Sequence, residues 1–232
     1  MRRARRAPTA GTRAALPAAG LAIVHEDEHV VVVDKPAGLL TIATDRERCR
    51  TAYALLRDHV ARQRPAARIF VVHRLDREAS GLLVFAKSVP AKRALQRQFH
   101  ERTAGRVYLA VVEGRVPDHL QTIRSRLVES VAHKSHSTRD PRRGKLAVTH
   151  LRVLRRLPRA TVVEVRLATG RKHQIRAHLA ENGHPIVGDR RYGARASRRL
   201  ALHATRLTFL HPASGASQAF DSRPPPAFRA LR

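Results

Sequence analysis

The chain reads as an α+β domain: one unit built on a mixed, largely antiparallel β-sheet flanked by helices and loops. Three observations carry this reading. Apolar strand-like runs outnumber helical stretches, and several follow one another through Gly- or Pro-marked turns, hairpin to hairpin. After about residue 20, neither an internal repeat nor a linker divides the 232 residues. One domain of that length buries a sizeable core. The expected organisation is a basic, unstructured arm at residues 1–20 and a single folded domain at 21–232.

The elements follow in order. Residues 30–33, "VVVV", form an apolar run closed by the turn "DKPAG", which predicts a buried strand. Ala52, Leu55, Leu56 and Val60 mark one face of a short helix. Residues 69–72 and 82–86 are two more strands, separated by a polar loop. In "SVPAKRALQRQFHER", Ser88 caps a helix, Pro90 sits in its first turn, and Ala91, Leu95 and Phe99 face inward beneath a basic outer face. "RVYLAVVEG" is a strand ended by a Gly turn. Residues 124–145, with seven Lys or Arg, predict a strand followed by an exposed loop. "KLAVTHLRVLRRLPRATVVEVRLATG" predicts a long hairpin about Pro158 and Arg159, with Val163, Val165 and Leu167 inward. "RKHQIRAHLAENG" gives a helix with Ile175 and Leu179 inward, ending near Gly183. "HPIVGDRRYG" is a loop, "LALHATRLTFLHP" supplies the last strand or two, and the Pro-rich end is coil.

Composition narrows the partners. Lys and Arg number 46 against 18 Asp and Glu, a formal charge of +28. Such an excess opposes compaction unless it meets a polyanion, and nucleic acid is the first candidate. Anionic membrane lacks the long amphipathic basic helix it would need, and no window approaches the roughly 18 apolar residues of a membrane span. A single Cys, Cys49, excludes an internal disulfide framework and fits a cytoplasmic location. With no Trp, three Tyr and six Phe, recognition rests on phosphate contacts and shape rather than on base stacking. The N-terminal 20 residues hold no acid, which suits a disordered basic arm or a transit peptide.

Several chemistries drop out. Fourteen His form no HExxH, no CxxC exists, and His173 and His178, five apart, do not share a helix face, so no metal site is expected. Neither GxxxxGK[ST] nor GxGxxG occurs, so no cofactor is expected, and no Gly-x-Ser-x-Gly turn appears. What remains is a carboxylate among cations. "HRLDREASGLLVFAK" places Asp76 between two strands, beside Arg74 and Arg77. A lone Asp there is commonly a turn residue that bonds its own backbone. Cationic neighbours also favour the ionised form that a nucleophilic carboxylate requires. Local chemistry leaves both readings open. "TGRKHQIRAH" is dense in donors where a strand hands over to a helix, an arrangement suited to an anion, with Arg171 and Lys172 adding full charges. Tyr108, on a strand face with Ala110 and Val112, reads by itself as a half-buried core Tyr.

Taken together these stretches resemble the RluA-type RNA pseudouridine synthases. "HRLDREASGLLVFAK" is similar to the family's signature around its catalytic Asp, "VVVDKPAGLL" to its first motif, and "RVYLAVVEG" to its Tyr strand. "TGRKHQIRAHLAENGHPIVGDRRYG" and "LALHATRLTFLHP" are similar to its remaining motifs, and the set runs in order across residues 21–228. The resemblance implies the pseudouridine synthase fold and the isomerisation of uridine in a stem-loop of ribosomal or transfer RNA, without cofactor. It implies Asp76 as the catalytic carboxylate, Tyr108 against the uracil, and Arg176 as the basic partner of Asp76. Arg74 would fill the gap left by a flipped nucleotide, and His73, Arg171, Lys172, His173 and Gln174 would join it in contacting RNA. Ala79 departs from the Thr usual in the family. The expected molecule is a monomer whose RNA capture relies on this domain and its basic arm. Two rivals keep part of the pattern: a non-catalytic RNA-binding or ribosome-assembly protein on the same fold, and a metal-dependent nuclease, for which Glu26, Asp27, Glu28 and Asp34 are the nearest acidic cluster.

Overall fold

Runs of β-branched and apolar residues become the strands of one sheet. The computed structural model describes residues 14–16, 20–44, 47, 50–131 and 133–228. Among these, the elements are β1 (Ala14–Leu16), β2 (Leu21–Glu26), β3 (Val30–Lys35), α1 (Ala52–Gln63), β4 (Phe70–Val71), β5 (Ser80–Ala86), α2 (Val89–Glu101) and β6 (Gly105–Glu113). They continue with β7 (Thr122–Glu129), β8 (Ser135–Thr138), β9 (Lys145–Arg156), β10 (Ala160–Leu167), α3 (Gln174–Glu181), β11 (Leu202–Leu210) and β12 (Ser217–Asp221), with short 3-10 turns at Arg190–Tyr192 and Pro226–Phe228.

The strand order is β1-β2-β3-β5-β11-β6-β10-β9-β7-β8, with β4 paired to β5 and β12 to β11. Among the described residues β5–β11 is the one parallel ladder, His203 lying opposite Ser80 and Ala204 opposite Gly81. β11 therefore sits between β5 and β6, joining the half of the sheet built early in the chain to the half built later. The junction is tight. Gly81 has φ +114, and a Cβ there would lie 2.3 Å from the Ala204 carbonyl oxygen, so a residue with a side chain could not hold this parallel contact.

β3 and β5 are covered on both faces. Val31, Val33, Leu83 and Phe85 join one core with Leu56 and Val60 of α1, while Val30, Val32, Leu82 and Val84 join another with Leu95 of α2. Their unbroken apolar runs follow from this double burial, since alternation is needed only where one face is wet. The caps agree with the sequence. Ser88 Oγ accepts from Ala91 N at 3.2 Å, and Thr51 Oγ1 accepts from Ala54 N at 3.1 Å.

Three differences from expectation stand out. Residues 14–16 of the basic arm form β1, antiparallel to β2, while residues 1–13 and 17–19, like Cys49, lie outside the described residues. The stretch read as an exposed loop after β7 contains β8, and the segment after β11 contains β12. Both are short, polar edge strands whose identity comes from their neighbours' backbone rather than from an apolar pattern. No helix among the described residues is long and apolar enough to cross a membrane.

Candidate active site

The loop of residues 72–79, between β4 and β5, carries Asp76. It is held by the loop that follows β3. Lys35, with no exposed surface, sends its Nζ to four carbonyl oxygens: Pro36 (2.9 Å), Leu39 (2.8 Å), Arg77 (3.2 Å) and Ala79 (2.7 Å). Burial pushes this ammonium down to about 7, and the nearby Asp76 and Glu78 oppose the shift. Thr41 Oγ1 donates to the Leu75 carbonyl at 2.9 Å and accepts from Leu75 N at 3.2 Å. Gly38 N donates to the Arg77 carbonyl at 2.8 Å. The "DKPAG" turn and Thr41 thus fix the backbone after and before Asp76 respectively. Ala79 is 2 % exposed and lends the loop its carbonyl rather than its side chain.

Opposite this loop stands α3. Its Arg176 is 3 % exposed and makes a two-point fork with Asp189: Nε to Oδ2 and Nη2 to Oδ1, both 2.7 Å. Asp189 precedes the Arg190–Tyr192 turn and is itself buried. The free corner of the fork, Nη1, reaches Asp76 Oδ2 and Glu78 Oε2, each at 3.3 Å. Burial by itself would lower the guanidinium's pKa; the bonds and charge of Asp189, with Asp76 and Glu78, outweigh it and raise the value. The Asp76 side chain keeps 20 % exposure, so one edge of the carboxylate is paired while it opens on the cleft. His173, the residue before α3, adopts φ 51; its Nε2 lies 3.9 Å from Asp76 Oδ1 and its Nδ1 3.3 Å from the Tyr192 hydroxyl.

The cleft holds about 750 Å³ and is walled by the Asp76 loop, the end of α2, β6 and the turn before α3. Tyr108 lines it from β6, 5 % exposed, opposite Val165 of β10 and Ala204 of β11. Burial pushes the Tyr108 phenol above its ordinary value of 10; Asp76 adds to the rise and Arg106 opposes it.

Asp76, Tyr108 and Arg176 therefore meet in one cavity although 100 residues separate the two charged partners. The other expected residues divide. Arg74 stands exposed at the cleft mouth, and Arg171, also exposed, gives only its Nε to the Leu146 carbonyl at 3.0 Å. Lys172 pairs with Glu129. Gln174 is spent on structure: its Nε2 donates to the Val148 carbonyl and Thr149 Oγ1, both at 3.0 Å, and its Oε1 accepts from Arg171 N and Thr169 Oγ1. His73 accepts from Val84 N through Nε2 at 3.3 Å and stacks 4.6 Å from Phe99; burial, with help from Arg106, pushes it down to about 3. Arg77 turns away from Asp76 to Glu47 and the Gly38 carbonyl, so the cation beside the carboxylate is Arg176 and not its sequence neighbour.

Asp189 and Arg106 escaped the sequence reading. A signal existed for each. A buried Arg in a helix requires a counter-charge, and Asp189 is the acid of the "GDRRYG" loop directly downstream. Arg106 stands two residues before Tyr108 on a strand, hence on the same face.

Comparison with known proteins agrees with the geometry. Residues 29–181 match the RNA pseudouridylate synthase family. Ribosomal large subunit pseudouridine synthase D of Zymomonas mobilis is 38 % identical over 222 residues, covering 88 % of this chain and 69 % of its own length. The protein of that name from Neisseria meningitidis serogroup B is 38 % identical over 220 residues, 87 % of this chain and 58 % of its own. The dual-specificity RNA pseudouridine synthase RluA of Haemophilus influenzae is 35 % identical over 209 residues, 88 % of this chain and 93 % of its own. Human RNA Pseudouridylate Synthase Domain Containing 4 superposes with a TM-score of 0.74 at 25 % identity, covering 89 % of this chain and 90 % of that one. With an ordered set of motifs, a cleft that gathers Asp76, Tyr108 and Arg176, and relatives covering nearly its whole length, the chain belongs to the RNA pseudouridylate synthase family.

Proposed function

We propose that the chain isomerises specific uridines in structured RNA to pseudouridine, with Asp76 as the catalytic carboxylate. The observation that carries this reading is the pairing of Asp76 with the buried Arg176 in the cleft that Tyr108 also lines. Ribosomal RNA is the substrate class that the relatives' names support.

The reaction exchanges the bond from ribose to uracil nitrogen for one to uracil carbon, with no net change in redox state. As the base departs, the ribosyl carbon becomes electron-poor. An ionised Asp76 serves that centre by attacking it or by taking the proton from the neighbouring 2′ carbon. Arg176, held from behind by Asp189, keeps the carboxylate aimed. Tyr108 meets the uracil face, retains the detached base while it turns, and stands where the proton on carbon 5 must leave. The target uridine has to be extruded from its stack, at a cost of a few kcal/mol, which phosphate contacts offset. Arg74 and Arg171 at the cleft mouth supply such contacts, and Arg74 occupies the place of the flipped nucleotide. The proposed enzyme is a monomer and, in keeping with its single Cys, cytoplasmic.

The test is pseudouridine mapping on RNA treated with purified wild type and Asp76→Ala. The expected result is conversion by wild type and a loss of about 10³-fold or more in the variant, with RNA affinity retained. Full conversion by Asp76→Ala would overturn the assignment of the carboxylate, and no conversion by wild type would favour the RNA-binding rival.

A further inference from the structure

The cations along the Tyr108 and α3 walls of the cleft differ from one another in their partners. Arg171, Lys172 and Arg176 each give donors to acceptors within the protein. Arg106 does not. It projects from β6 on the Tyr108 face, half-buried, and among the described residues no carboxylate, carbonyl or hydroxyl accepts from it; its Nε is sealed from solvent without a partner. Yet its position is built. Its Cζ lies 5.2 Å from the centroid of the Phe99 ring, which His73 supports at 4.6 Å. Across from that ring, the main chain at Gly170 is bare, and a Cβ there would stand 2.7 Å from Nη1 and 3.1 Å from Nη2. A guanidinium seated between an aromatic ring and a glycine, half out of water and unpaired, is unfavourable until an anion arrives.

We infer that Arg106 is a phosphate clamp: its two Nη groups receive the phosphodiester flanking the extruded uridine, setting how deeply the nucleotide enters over Tyr108. The inference rests on the proposed RNA activity. Residues two apart on a strand are about 7 Å apart, a separation that one nucleotide covers between base and phosphate. The Nη edge is the one available, because the Nε side is closed by packing. Gly170 has no other evident reason to lack a side chain, since its backbone makes no left-handed turn there.

The test is a substrate cycle. Stem-loops carrying one target uridine are made with each flanking phosphate replaced in turn by a neutral methylphosphonate, and both equilibrium binding and conversion are measured. In wild type, one replacement is expected to weaken binding about tenfold. Arg106→Gln is expected to weaken binding of unmodified RNA by a similar factor, to be indifferent to that same methylphosphonate, and to lower the salt slope by about one. Gly170→Ala, which keeps the charge but evicts the guanidinium, is expected to reproduce the indifference should Arg106→Gln fail to fold. If every methylphosphonate weakens the variants as it weakens wild type, the clamp is wrong. If Arg106→Gln lowers kcat with binding and salt slope unchanged, Arg106 serves the uracil and the clamp is again wrong. Absence of conversion by wild type would strike the isomerase reading instead, since the binding cycle is read without turnover.

Discussion

Two arginines in the same cleft have opposite surroundings. Arg176 on the floor is 3 % exposed and its fork is shared among Asp189, Asp76 and Glu78. Arg106 on the wall rests against Phe99 and Gly170 with no acceptor among the described residues. The first holds a protein carboxylate in place, so its geometry is closed by the chain itself. The second is complete only when substrate supplies the anion. Paired charge here means positioning, and unpaired charge means reception.

That contrast can be broken in graded steps. The largest effect is expected for Asp189→Ala, which strands a buried cation. Unfolding in urea should show a loss of about 3–5 kcal/mol, and turnover should fall as Arg176 is no longer aimed. A loss near zero would show that the floor does not depend on its counter-charge. Next comes Tyr108→Phe, for which a fall of about 10²-fold in kcat with little change in KM is expected. Because burial places the phenol above 10, Tyr108 stays protonated at lower pH, and the wild-type profile should show no Tyr limb between pH 7 and 9. A limb in that window that vanishes in Tyr108→Phe would overturn the assignment. The smallest effect belongs to Glu78→Gln. Glu78 shares Nη1 of Arg176 with Asp76 but is 50 % exposed, so water screens it. Its loss should change kcat/KM less than about fivefold, the range of an exposed ion pair; a larger drop would make Glu78 part of the floor.

Much of this was legible in residues read singly. The cap at Ser88, the double-faced burial of residues 30–33 and the β9–β10 hairpin each follow from local rules, and the Asp76, Tyr108 and Arg176 trio follows from family motifs. The edge strands β8 and β12 were not legible, since "SHST" and "SQAFD" carry no apolar alternation and are defined by the strands beside them. Nor was the division of labour among the donors of "TGRKHQIR". Gln174 and Lys172 have the right chemistry for RNA, but only tertiary contacts reveal that Thr149, Val148 and Glu129 already engage them. Arg106 was hidden for the converse reason: a lack of partners is a property of the folded surroundings and leaves no trace in spacing.

The position of β11 bears on how the protein is made. Ribosomes deliver the chain from its N-terminus, so β5 and β6 emerge long before Leu202–Leu210, the strand that lies between them. Until that segment is free, the native neighbour of both strands is missing and the Asp76 loop and Tyr108 are not joined through the sheet. Long-range pairings of this kind form slowly. A nascent chain therefore carries the Asp76 loop apart from the half of the sheet that holds Tyr108 and Arg176 until Leu202–Leu210 is free to join them.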